Sequence, residues 1–177
     1  AKILALGSAA AAGKDARIVA KMNALTDEAL IHALVAAGQQ GVKIDLIVRG
    51  ACMLPAGVPG LTDNIRVRSV IGRFLEHSRV FYFRGNGVEE LYLSSADWMN
   101  RNMLRRIELA WPVTDPALRQ RIIDECLVAY LHDGRDAWDM GPDGVYHRVN
   151  PNGLPGGHSV QTALMARYAA PEGKQNR

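Results

Sequence analysis

Apolar and polar positions along the chain change period several times, and each change predicts an element. "AKILALGSAAAAGK" (residues 1–14) reads as an Ala-rich helix closed by Gly13, a residue suited to a left-handed stop. "ARIVAKMNA" then alternates, Ile18, Ala20 and Met22 against Val19 and Lys21, as a strand with two partly apolar faces would. Asp27 is placed to cap "EALIHALVAAGQQG", whose Leu30, Leu34 and Ala37 fall on one helical face. "VKIDLIV" follows, a β-branched run that ends at Arg49-Gly50. Strand, helix and strand in this order and length predict a right-handed crossover between parallel strands.

Prolines 55 and 59 and three glycines then mark "GACMLPAGVPGLTDN" as a loop. "IRVRSV" reads as a further strand, and "RVFYF" and "ELYL" as a hairpin around Asn86-Gly87, a strong turn signal. "SSADWMNRN" reads as a polar loop and "RRIELAWPV" as a strand. "DPALRQRIIDECLVAYLHD" is a helix with Asp115 as cap and Pro116 in its first turn. "AWDM" and "VYHRV" form a small hairpin around "GPDG", and "HSVQTALMARYAA" is a terminal helix. The pattern as a whole predicts one mixed α/β domain.

Composition narrows the class. With 177 residues, 48% hydrophobic and 22% charged, the chain is an ordinary globular sequence rather than a disordered or fibrous one. A formal charge of +3, from 21 Lys and Arg against 18 Asp and Glu, is too small an excess to imply nucleic-acid binding. Cys52 and Cys126 form neither a disulfide framework nor a CxxC metal motif. No apolar run is long enough to span a membrane. A reducing cytoplasmic setting is expected, with a peripheral place at the inner membrane left open. A chain that opens inside a helix without an initiator Met reads as a fragment of a longer protein.

The candidate chemistry is histidine and arginine. His32 lies inside a helix and His132 at a helix end, where a cation suits the dipole; both read as structural. His147 and His158 read as surface or capping residues. His77, in "LEHSRVFYF", directly precedes a strand and stands among Arg66, Arg68, Arg73 and Arg79, with Arg101, Arg105 and Arg106 beyond the next polar loop. Arg49 ends a strand, the place where open α/β sheets collect ligands. Guanidinium groups are the preferred bidentate partners of phosphate. The plainer reading pairs these arginines with Asp45, Glu76, Asp97 and Glu108 on a solvated surface. Neither a GxxxxGK[ST] loop nor a GxGxxG turn is present, and no His/Asp/Glu cluster shows metal-ligand spacing.

"ARIVAKMNALTDEALIHAL", "GVKIDLIVRGACMLPAGVPGLTDNIRVRSVIGRFLEHSRVFYF" and "YLSSADWMNRNMLRRIELAWPV" closely resemble the last domain of bacterial long-chain polyphosphate kinases, from about Ala16 to Val113 and more loosely to Tyr168. The resemblance implies a single C-terminal domain over residues 1–177, the second of two phospholipase D-like domains, with a mixed β-sheet flanked by helices on both faces. It implies reversible transfer of the ATP γ-phosphate to inorganic polyphosphate through a phosphohistidine of the preceding domain, so the isolated chain is expected to be inactive. His77 resembles the family's second histidine, an acid or base and nucleotide contact. Arg49 resembles a phosphate-contacting arginine, and the resemblance implies Arg106 as a further phosphate-contact candidate. ATP or ADP, polyphosphate, the preceding domains of the same chain and a homo-oligomeric assembly are the implied partners. Magnesium is implied for the full-length enzyme, with its ligands outside this region.

One departure stands out. The wider phospholipase D-like superfamily carries His-x-Lys with a downstream Ser and Asn; here Arg79 takes the lysine position, and Ser95 and Asp97 stand near the other two. A homodimeric phosphodiesterase or nuclease and a non-catalytic polyanion-binding module remain the alternatives.

Overall fold

A computed structural model of the chain describes residues 1–150 and 157–169. The elements run α1 (Lys2–Ala11), β1 (Ala16–Met22), α2 (Glu28–Gln39), β2 (Lys43–Val48), β3 (Ile65–Val70), β4 (Val80–Gly85), β5 (Val88–Ser94), α3 (Asn100–Arg105), β6 (Ala110–Pro112), α4 (Pro116–Ile122), α5 (Ala129–Leu131), β7 (Ala137–Met140), β8 (Tyr146–Arg148) and α6 (Val160–Ala169). All eight strands join one sheet in the order β6-β5-β4-β1-β2-β3-β7-β8. The pairs β1–β2 and β2–β3 are parallel and the remaining pairs antiparallel, so the sheet is mixed.

Strand alternation sorts the core into two layers. Ile18, Ala20 and Met22 of β1, with Ile44, Leu46 and Val48 of β2, pack under Ile3 and Leu6 of α1 and Leu34 and Ala37 of α2. The opposite face sends Val19, Ile47, Val70 and Tyr82 against Leu127, Tyr130 and Val160. Helices thus cover both faces, as the resemblance implied.

Local signals explain most boundaries. Asp27 accepts a 3.0 Å hydrogen bond from the Leu30 amide and starts α2, and Asp115 accepts one of 2.8 Å from Leu118 to start α4. Asn86 (φ 55°) and Gly87 (φ 76°) occupy the two left-handed positions of the β4–β5 turn, a conformation matched to the strand twist.

Three expectations are corrected. Of "RRIELAWPV" only Ala110–Pro112 is strand; the sheet edge at β5 offers a partner to just three residues. The polar loop "SSADWMNRN" ends in α3, which starts without a side-chain cap at Met99. The helix expected over residues 115–133 is interrupted by a π-helical stretch, Ile123–Val128, between α4 and α5. The last residue of the expected terminal helix, Ala170, lies outside the described residues.

Candidate functional site

The parallel strands β1 and β2 deliver their carboxyl ends side by side. Met22 is in register with Val48, so Asn23 and Arg49 emerge as neighbours. Beyond them the backbone stays laced together: the Gly50 amide donates to the Asn23 carbonyl at 2.8 Å, and Leu25 bridges both Cys52 and Trp98. A Cβ on residue 50 would stand 3.0 Å from that carbonyl, which favours glycine there. Trp98, stacked against Phe81 with ring centroids 4.9 Å apart, fixes the segment after β5 to the same corner.

Side chains complete the corner. Arg49 donates through Nε to Asn23 Oδ1 at 3.1 Å, which assigns the amide orientation of Asn23 and leaves its buried Nδ2 without a partner among the described residues. The Asn23 backbone N–H donates to Asp97 Oδ1 at 2.7 Å. Arg79 donates to Asp97 Oδ2 at 2.9 Å and, through its other terminal nitrogen, to the His77 carbonyl at 2.9 Å. Arg49 and His77, 28 positions apart (77 − 49), are thereby joined through Asn23, Asp97 and Arg79. Burial opposes a charge on Asp97, yet Arg79 and the Asn23 and Ala24 amides outweigh it and hold the carboxyl below its ordinary range.

His77 is exposed in the irregular segment before β4. Its neighbours point inward: Glu76 and Ser78 both meet the buried ammonium of Lys21, Ser78 at 2.8 Å. Glu76 and Ser78 line one small cavity together with Lys21, Asn23, Arg49 and Tyr130. Arg49 therefore faces the two residues that flank the histidine. Burial again opposes the Glu76 carboxylate, and Lys21, Tyr130 and Gln161 overcome it and depress its pKa. The corner thus holds the Arg49 guanidinium and the unpartnered Asn23 Nδ2, with His77 exposed on the segment whose Glu76 and Ser78 line it.

The other expected residues divide. Arg106 is exposed just past α3; its charge, like that of Arg79, stabilises the Glu108 carboxylate, which is also bonded by Ser95 and Asn102. That places Arg106 on the Ser95 side of the corner, and among the described residues it makes no hydrogen bond to Arg49 or His77. Arg68 follows the plainer reading, with Asp139 as a carboxylate partner the sequence did not single out. It forms a bidentate pair with Asp139 at 2.7 and 2.9 Å and, with Arg66, lines a separate cavity of about 670 Å³ at the amino ends of the parallel strands. Arg79, paired with Asp97, also follows the plainer reading. Lys21, Asn23 and Gln161 went unnoticed in the sequence; only the polar Lys21 inside an apolar strand run gave a signal. Among the described residues no group of three or more His, Cys, Asp or Glu side chains is placed to hold a metal ion.

Comparison with known proteins identifies the family of the fold and sequence. Residues 2–159 match the family described as polyphosphate kinase C-terminal domain 2. A polyphosphate kinase of Burkholderia lata is 58% identical over 161 residues, 91% of this chain and 23% of the relative. One of Xylella fastidiosa (strain Temecula1) is 53% identical over 153 residues, covering 86% and 22%. The chain thus spans less than a quarter of these curated relatives. The crystal structure of polyphosphate kinase from Porphyromonas gingivalis superposes with a TM-score of 0.84 at 37% identity, over 94% of this chain and 26% of that one. The phospholipase D family member Nuc from Salmonella typhimurium, at 16% identity and TM-score 0.54 over 77% and 89%, shares the fold alone. By its sequence and its fold, this chain belongs to the polyphosphate kinase C-terminal domain 2 family.

Proposed function

We propose that this domain supplies the phosphate-gripping half of a polyphosphate kinase site, in which the ATP γ-phosphoryl group passes through a histidine of another domain to the end of a polyphosphate chain. The observation that carries the reading is the hydrogen-bonded path from Arg49 to His77 through Asn23, Asp97 and Arg79. Phosphoryl transfer asks the protein mainly for positioning and charge stabilisation. Arg49 keeps two terminal nitrogens beyond its bond to Asn23 and grips phosphate oxygens as a fork. His77 manages a proton or steadies the transferring group, and Arg106 adds positive charge from the Ser95 side. Polyphosphate, ATP and ADP are the substrates of this reading, and a homo-oligomeric cytoplasmic enzyme is its setting. The family name of the relatives supports the substrates. Magnesium belongs to the proposed full-length reaction; the described residues provide no ligand set for it, so no step is assigned to it here.

The pairing of Arg79 with Asp97 speaks against the phosphodiesterase alternative. The residue at the superfamily's lysine position is already neutralised. Turnover separates the readings. The isolated chain is incubated with ATP and magnesium, with a phosphodiester, and with polyphosphate alone, in parallel with a full-length polyphosphate kinase carrying this domain. Polyphosphate growth is expected in the full-length enzyme only. Growth by the isolated chain contradicts the two-domain site, and phosphodiester cleavage or bare polyanion binding by both proteins moves the function to an alternative.

A further inference from the structure

The segment that carries His77, residues 71–79, has no regular secondary structure and exposes Ile71, Phe74 and Leu75. An exposed imidazole on such a segment keeps a defined place only if something else anchors the backbone. Two anchors are present, on either side of Glu76. From the sheet, Lys21, only 5% exposed, bonds Glu76 and Ser78 and lies 3.7 Å from the centre of the Tyr130 ring. Tyr130 donates its hydroxyl to the same Glu76 oxygen. It stands two residues past the π-helical stretch, whose wider turn shifts the face on which Tyr130 reaches β1.

The second anchor comes from α6. Gln161, also 5% exposed, accepts from the Phe74 amide at 2.8 Å and donates to the Phe74 carbonyl at 3.0 Å, closing a two-way bond like a strand rung. Its Nε2 also donates to Glu76 Oε1 at 2.6 Å. The start of α6 is itself fixed: the Val160 amide donates to Asp133 Oδ2 at 2.8 Å, Ser159 to Asp136 at 2.6 Å, and the Gly134 amide to the His158 carbonyl at 3.0 Å. The cleft is cut to this side chain, since a Cβ on Gly72 would stand 2.4 Å from Gln161 Oε1. All three polar contacts of Gln161 go to the segment one residue away from His77 or nearer its start.

We infer that Gln161 is a positioning residue for His77: from the terminal helix it clamps residues 72–76 through Phe74 and Glu76 and so sets the histidine over the phosphate corner. The inference rests on the proposed role of His77. Displacement of a reacting group by about 1 Å costs up to roughly a hundredfold in rate, so a loosened segment is expected to slow transfer without unfolding the domain.

The test pairs two variants in a full-length polyphosphate kinase carrying this domain. Gln161→Met keeps length and apolar bulk and removes the bonds. Gly72→Ala keeps the glutamine and forces its amide aside, since the new Cβ would stand 2.4 Å from Oε1. For each, hydrogen exchange at the Phe74 amide is read beside kcat and KM for ATP, normalised to the folded fraction. Faster Phe74 exchange with kcat reduced on the order of 10- to 100-fold, and reduced more than KM is raised, is expected for both. Unchanged Phe74 exchange in both variants overturns the clamp, and faster exchange with unaltered kcat overturns the positioning role. A His77→Asn enzyme that remains fully active overturns the reading of His77 instead, and Phe74 exchange then still decides whether Gln161 holds the segment.

Discussion

Arg79 and Asp97 meet at 2.9 Å across 18 positions of sequence, and Asp97 is 5% exposed. The pair ties the His77 carbonyl to the turn after β1. It also removes Arg79 from the set of free phosphate ligands, which leaves Arg49 as the guanidinium facing the cavity beside His77.

Asp97→Asn is therefore expected to be destabilising. It leaves Arg79 half-buried without its counter-charge, and breaking such a pair from one side costs about 3 kcal/mol. Urea unfolding of the chain measures it; a midpoint equal to that of the parent protein would show that the pair is only a surface contact.

Acid sensitivity follows from Glu76 and Asp97. Both carboxyls are depressed below their ordinary values, because Lys21 in one case and Arg79 in the other, with their hydrogen-bond donors, outweigh burial. A depressed carboxyl contributes stability that is complete above its unfolded value, about pH 4 for these types, and is lost as pH falls through the folded value. Stability is expected to drop below about pH 4. Glu76→Gln, which cannot gain that proton, is expected to flatten the acid limb. Denaturant midpoints between neutral and acidic pH read the slope; an equally steep slope in the variant removes Glu76 from the explanation.

Arg49→Lys tests the fork. Lysine is a point charge whose three donors share one nitrogen, so it cannot hold Asn23 and also grip two phosphate oxygens with the parallel geometry of a guanidinium. A loss of about 1.5–3 kcal/mol in kcat/KM for ATP is expected in the full-length enzyme, the value of a charge-assisted hydrogen bond. Equal kcat/KM at matched stability assigns Arg49 to structure alone.

The β4–β5 turn offers a local test of the fold. Gly87 sits at φ 76° with open space around its Cβ position, so Gly87→Ala adds backbone strain and little else. A cost of about 1 kcal/mol is expected, read by thermal unfolding. No change in midpoint would mean that the turn relaxes.

Local order was legible in the sequence where local chemistry sets it. Asp27 capped its helix, Asn86-Gly87 made its turn, and the β-branched run over residues 42–48 became the parallel strand beside β1. What escaped depends on partners distant in sequence. β6 is short because β5 pairs only three of its residues, α3 lacks a side-chain cap to announce it, and the π-helical stretch serves contacts to β1 and β4 rather than any local preference. In the site, Arg49 was marked by its place at a strand end and His77 by the arginines around it, and family likeness added the role of each. Gln161, 87 positions from Phe74, carries no motif, and Arg68 and Arg79 had carboxylate partners that charge patterning alone could not assign.

The role of His77 is tested most directly by His77→Asn in a full-length polyphosphate kinase carrying this domain, with phosphoryl transfer from ATP to polyphosphate measured per folded molecule. His77 is exposed and, among the described residues, bonds through its carbonyl rather than its ring, so folding should be little changed. A fall of roughly 10²- to 10⁴-fold, the span of a positioned acid or base, is the expected result. Full activity at unchanged stability would contradict the assignment and leave the histidine as a surface residue ahead of β4.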